Sequence, residues 1–138
     1  AKGADGSRRR HALYLLSVLK KEGRLPDRYP YPIEVWRFGG GLKLIALGGE
    51  VVADYSLRFK SQYGWKDTWV AAYSNDVFAY IPSLRVLREG GYEGGGAAVP
   101  YGLPGPFAEN IEEVIVRKVD ELMRATGHQD GRPGKSQK

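Results

Sequence analysis

Ile33-Glu34-Val35-Trp36-Arg37-Phe38, then Gly39-Gly40-Gly41, then Leu42-Lys43-Leu44-Ile45-Ala46-Leu47 is the stretch that decides the fold class. Two runs rich in β-branched, aromatic and aliphatic residues flank three glycines, which reads as a pair of strands joined by a hairpin turn. Gly48-Gly49-Glu50 breaks the second strand. Beyond it, Val52, Tyr55, Phe59 and Tyr63 mark one face of a helix that ends at Gly64. Thr68 to Ala72 is a third strand, short and largely apolar, and expected to be buried. Upstream, Leu25 to Pro32 holds three prolines and can only be a connector. Before that connector, Ala12, Leu15, Leu16 and Leu19 fall at i, i+3, i+4 and i+7, with Ser7 as the expected cap and Gly23 as the stop.

Downstream of Tyr73 the pattern loosens. Ser83 to Glu89 reads as a helix capped by Ser83. Gly90 to Pro106 is rich in glycine and proline, so it is either a flexible loop or one whose backbone takes shapes closed to other residues. From Phe107 to about Ala125 the apolar stripe Ile111, Val114, Ile115, Val119 and Leu122 predicts a final helix. Glu113 with Arg117 and Asp120 with Arg124 are expected as i, i+4 pairs on its wet side. The sum is an α/β fold, a small mixed sheet with helices packed on it. The expected organisation is a disordered tail over residues 1–6, a single α/β domain over 7–126, and a disordered basic tail over 127–138.

Composition narrows the function. The chain has 138 residues, with 21 Lys and Arg against 16 Asp and Glu. Residues 1–10 sum to +3 and residues 127–138 to +2, which together make the whole net charge of +5 and leave residues 11–126 neutral. A neutral centre argues against a nucleic-acid-binding face. No apolar run approaches the ~18–20 residues of a membrane span. The absence of cysteine excludes a disulfide scaffold, a thiolate metal site and a cysteine nucleophile. The only histidines are His11 and His128, so three histidine ligands for a zinc site cannot come from this chain alone. The glycine runs lack the spacing of a phosphate-binding loop.

Two places carry more chemistry than structure alone requires. Leu47-Gly48-Gly49-Glu50 sets a carboxylate where a strand ends and a helix begins. Ligands collect at such strand ends, although the plainer reading, and the one the residues alone favour, is that Glu50 serves the helix dipole. Tyr73-Ser74-Asn75-Asp76-Val77-Phe78-Ala79-Tyr80, followed by Tyr92-Glu93-Gly94-Gly95-Gly96, brings tyrosines out of a strand into a glycine-rich loop. Their hydroxyls can meet a reacting group, or their rings can fill core space with the hydroxyls on backbone partners.

Three segments, in this order, resemble the neutral/alkaline non-lysosomal ceramidases, especially their bacterial relatives. They are Ile45-Ala46-Leu47-Gly48-Gly49-Glu50, Val70-Ala71-Ala72-Tyr73-Ser74-Asn75 through Ala79-Tyr80-Ile81-Pro82-Ser83, and Gly91-Tyr92-Glu93-Gly94. The likeness covers roughly Leu25 to Leu122. It implies the C-terminal part of a catalytic domain, itself a larger layered α/β hydrolase domain, which cleaves the N-acyl amide bond of a lipid with one zinc ion. By this resemblance Glu50 and Tyr80 are metal ligands, and Tyr92 stabilises the developing oxyanion. The N-terminal part of the same enzyme is the implied partner that supplies the missing histidine ligands, and the chain alone is expected to be inactive. The resemblance also suggests a secreted or periplasmic location. Pro82-Ser83 stands where the family has two threonines, and Arg88-Glu89-Gly90-Gly91 lacks the family's Glu-Tyr and Gln before Tyr92, so the lipid substrate is expected to differ. The competing expectation is a non-catalytic α/β domain that binds a protein partner or a lipid surface, with Glu50 and Tyr80 pointing apart or packed into the core.

Overall fold

The computed structural model describes residues 2–127. The expected basic tail, with His128, lies outside the described residues except for Gly127. The elements run α1 (Lys2–Glu22), β1 (Ile33–Arg37), β2 (Lys43–Leu47), β3 (Glu50–Val51), α2 (Ala53–Tyr63), β4 (Thr68–Ala71), β5 (Tyr80–Ile81), α3 (Leu84–Glu89) and α4 (Ile111–Gly127). The fold is mixed α/β, with a three-stranded sheet of order β1-β2-β4 and a separate parallel pair, β3-β5.

The hairpin forms as its glycines require. β1 and β2 pair antiparallel with Trp36 opposite Leu44, and the three glycines make one 3-10 turn in which Gly41 takes φ +91°. β2 then pairs parallel with β4, joined to it through α2. Ile33, Val35, Ile45, Leu47 and Val70 share one face of this sheet, and α4 and α2 pack there. The core is Ile45, Leu47, Tyr55, Phe59, Phe78, Ile81, Ile115, Val116, Val119 and Met123. The other face carries the cross-strand row Trp36, Leu44 and Trp69 in register. Both indoles on it are more than half exposed. β4 is therefore an edge strand whose inner side is buried at Thr68 and whose outer side is open, rather than the buried strand its apolar composition suggests.

Three further expectations shift. Residues 2–6 continue α1 instead of forming a tail, so Ser7 lies inside the helix. Once residues 8–22 are helical, each residue added upstream gains a hydrogen bond without a new nucleation cost. On α4 the buried stripe is rotated: Val116 and Met123 are buried, while Val114 is exposed. Glu112, Glu113 and Asp120 of α4 turn toward α2, while Glu121 pairs with Lys118 along its own helix at 3.1 Å. Arg58 donates to Glu112 at 2.6 Å and Glu113 at 2.9 Å, and Tyr63 and Gln62 both donate to Asp120. Glu112 also accepts from the Leu84 amide at 2.8 Å, which ties α3 to the same junction.

The α3 cap forms as read, with Ser83 Oγ accepting from the Val86 amide at 3.2 Å. It is held from α2, because Ser83 Oγ donates to Asp54 at 2.5 Å and Arg85 pairs with the same carboxylate at 2.9 Å. The Arg85 guanidinium, helped by the Ser83 hydroxyl, holds the Asp54 carboxyl below its ordinary value of 3.8. A depressed native value gives stability that is complete above the unfolded value and is lost as pH falls through the native one. Asp54→Asn is therefore expected to lower stability at pH 7 and to flatten the loss as pH falls below the ordinary carboxylate value, as read from urea midpoints across that range.

Candidate functional site

The site is built on the Gly48-Gly49 turn at the carboxyl end of β2. The Gly48 amide donates to the Pro32 carbonyl at 3.1 Å, and the Gly48 carbonyl accepts from the Tyr31 hydroxyl at 2.8 Å. A Cβ on Gly48 would lie 2.6 Å from the Pro32 ring, so the turn and the proline connector pack too closely for any side chain. Gly49 has φ +67°, and a Cβ there would meet Ile81 Cγ1 at 2.8 Å and the Ala79 carbonyl at 2.9 Å. Its amide donates to the Asp76 carbonyl at 2.7 Å, and its carbonyl accepts from the Tyr73 amide at 2.8 Å. The turn is thus the knot that joins β2, the Tyr73–Ala79 segment and β5.

Leaving that turn, the Glu50 amide donates to the Ala79 carbonyl at 2.9 Å and the Val52 amide to the Ile81 carbonyl at 3.2 Å. These bonds fix the register of β3 on β5, with Glu50 directly opposite Tyr80. Directly opposite residues project from the same face of a strand pair, so two side chains thirty positions apart in the chain meet. The Glu50 carboxylate beside the Tyr80 hydroxyl favours the protonated phenol and pushes it up to about 12. It does the same, to a lesser degree, to Tyr73, where Tyr101 adds to the effect. The Tyr92 ring packs edge-on against Tyr80 at 5.4 Å between centroids and 72° between planes. All three residues singled out in the sequence, Glu50, Tyr80 and Tyr92, therefore lie in one cluster, and Tyr73 and Tyr92 are more than half exposed. A shallow hollow of about 260 Å³ adjoins it, with Glu50, Tyr80, Asp54, Arg85 and Glu93 on its walls.

Tyr73, quoted in the sequence only as the start of the tyrosine-bearing stretch and given no role of its own, is the further member. Its φ of +57° is rare for a bulky residue and is imposed by its amide on Gly49 and by the Ser74 amide on the Leu47 carbonyl at 3.0 Å. The only signal available was its place as the first aromatic after a strand. The glycine-rich segment resolves to the second of its two alternatives. Gly90 and Gly91 have positive φ, and a Cβ on Gly94 would come within 2.5 Å of the Val86 carbonyl, so Tyr92 rides on a closely packed turn. The connector is anchored as well, since Tyr29 stacks on Phe78 at 3.7 Å and donates to Asp76 at 2.5 Å.

This arrangement offers one carboxylate and a neutral phenol side by side, with further phenols around them. Such a pair supplies two oxygen donors, one anionic, which is short of the three protein ligands of a catalytic zinc centre. Among the described residues no group of three His, Cys, Asp or Glu is placed to hold a metal. Glu50→Gln is expected to lower the titration of Tyr80 from about 12 toward the ordinary value of ~10, and Tyr73 with it, because the charge that favours the protonated phenols is gone. Phenolate absorbance followed against pH reads this directly, and an unmoved profile would refute the coupling. Comparison of the chain with protein-family models, with curated proteins and with solved structures gives no match.

Proposed function

We propose that this chain is the C-terminal segment of the catalytic domain of a zinc-dependent, ceramidase-like amidohydrolase that cleaves the N-acyl bond of a lipid amide. The observation that carries the proposal is the register pairing of Glu50 with Tyr80, with Tyr92 packed against Tyr80, at the open end of the central strand. The donor set fits part of such a centre. Glu50 provides the anionic oxygen, and Tyr80, protonated at neutral pH, provides a neutral one. Zinc bound there through Glu50 and Tyr80 would supply hydroxide near neutral pH and polarise the amide carbonyl. Tyr92 offers its hydroxyl to the charge that develops on that carbonyl oxygen. The remaining ligands come from the N-terminal part of the same enzyme. Departures at Pro82-Ser83 and at Arg88–Gly91 set its lipid preference apart from that of the family it resembles.

A non-catalytic role is the less supported reading, because Glu50 and Tyr80 share a solvent-facing cluster instead of diverging. Among the described residues no helix is long and apolar enough to cross a membrane.

The test uses the chain with zinc and excess free imidazole standing in for the absent histidines, monitored by tyrosine difference absorbance. Zinc is expected to perturb the tyrosine spectrum of the wild type, and Glu50→Gln and Tyr80→Phe are each expected to weaken that response at least about tenfold. An equal response in both variants, or none in the wild type, removes the metal role. Without imidazole, the chain plus zinc is expected to leave an N-acyl sphingoid amide intact. Turnover that Glu50→Ala abolishes would show that the site needs nothing further.

A further inference from the structure

We propose that α1 is an interfacial helix that seats this chain on an anionic lipid surface. Its body-facing side is His11, Leu15 and Val18, all half-buried. The contact is narrow: His11 Nε2 donates to the Leu103 carbonyl at 2.7 Å, and the Tyr14 ring closes over Gly102. Directly across the helix, Arg9, Leu13, Leu16 and Lys20 recur at spacings of four, three and four and form one stripe. Leu13 and Leu16 are 58% and 60% exposed, and Leu19 beside them is 43% exposed. Three leucines in water on one helix, with a base at either end of their stripe, form a surface that requires a cover.

Charge selects the cover. α1 holds Lys2, Arg8, Arg9, Arg10, Lys20 and Lys21 against Asp5 and Glu22, six minus two, so +4 of the chain's +5. A second copy is a poor occupant. Antiparallel pairing sets Arg8, Arg9 and Arg10 against Lys20 and Lys21, and parallel pairing stacks each base on its twin. An anionic surface suits both parts of the stripe, with leucines in the acyl boundary and bases at headgroup level. Position favours a lipid over an acidic protein. The loop on which α1 rests is tied to Tyr92 of the cluster, the Ala97 amide donating to the Tyr92 carbonyl at 2.8 Å, so the helix flanks the cluster that takes a lipid amide. That last point alone rests on the proposed function.

The experiment is cosedimentation of the whole chain with vesicles of phosphatidylcholine alone and of phosphatidylcholine mixed with phosphatidylglycerol, without zinc or amide lipid. Binding is expected only to the mixed vesicles and is weakened by salt. Each base near such a surface is worth about fivefold in partition, so Arg9→Gln with Lys20→Gln is expected to lower it roughly twentyfold. Leu13→Ser with Leu16→Ser is expected to lower it about a hundredfold. Both pairs are exposed, and unchanged circular dichroism confirms that the fold is kept. Equal binding to neutral vesicles, full binding by the leucine variant, or no binding to either vesicle overturns the inference. So does self-association in sedimentation velocity that the leucine variant abolishes, since α1 would then serve a second copy. Failure here leaves the zinc reading intact, and failure of the zinc response leaves vesicle binding intact.

Discussion

Gly49→Ala is expected to cost about 2–5 kcal/mol of folding stability. The left-handed backbone contributes roughly 1–2 kcal/mol of this, because a Cβ at φ +67° crowds its own carbonyl. The rest comes from contact, since the new methyl would sit 2.8 Å from Ile81 Cγ1 and 2.9 Å from the Ala79 carbonyl, and forced overpacking costs about 1–3 kcal/mol. Relief requires β3 to move off β5, which breaks the register that brings Glu50 to Tyr80. The variant is therefore expected to show a lower urea midpoint and, where it still folds, a Tyr80 titration that falls toward ~10. A destabilised variant whose Tyr80 titration stays high would mean that the turn does not position the cluster.

Phe59→Ala is expected to be comparably damaging, at about 3–5 kcal/mol, because a fully buried ring is removed and its cavity is only partly refilled. Phe59 lies between Tyr55 and Tyr63, at 6.3 and 6.2 Å between centroids, so its loss loosens α2 along its whole buried face. The expected fall in melting temperature is roughly 10–20 °C for a domain of this size. Tyr80 lies outside the core cluster that holds this ring, and its titration is expected to stay near 12 under native conditions. A fall of only a degree or two would place Phe59 outside the energetic core.

The two variants separate what was legible in the chain from what was not. The hairpin and α2 follow from local pattern, because three glycines admit the turn and Tyr55 and Phe59 recur at the helical period. The rotation of α4 does not, because it depends on Arg58 taking up Glu112 and Glu113 from a helix more than fifty positions away. The same holds for β3 and β5. Two-residue strands carry no periodicity, and their pairing is fixed by the Gly49 turn and by the backbone bonds of Ala79 and Ile81. Pattern alone marked the places of Glu50, Tyr80 and Tyr92 but left a plain structural role open for each, and the metal and oxyanion roles came only through resemblance to a family. Tyr73 stood in the quoted stretches without a role of its own, since nothing in a tyrosine's surroundings along the chain marks it for a left-handed backbone.

The open sheet face also decides how this protein must be watched. Trp36, Trp65 and Trp69 are the chain's three tryptophans, and each is more than half exposed in the folded state. Their fluorescence therefore already reports solvated indole before denaturant is added and shifts little in colour when the chain unfolds. The buried Tyr55 and half-buried Tyr31, whose near-ultraviolet dichroism depends on a fixed surrounding, are the natural reporters of folding, while Trp36 and Trp69 respond instead to whatever covers that face.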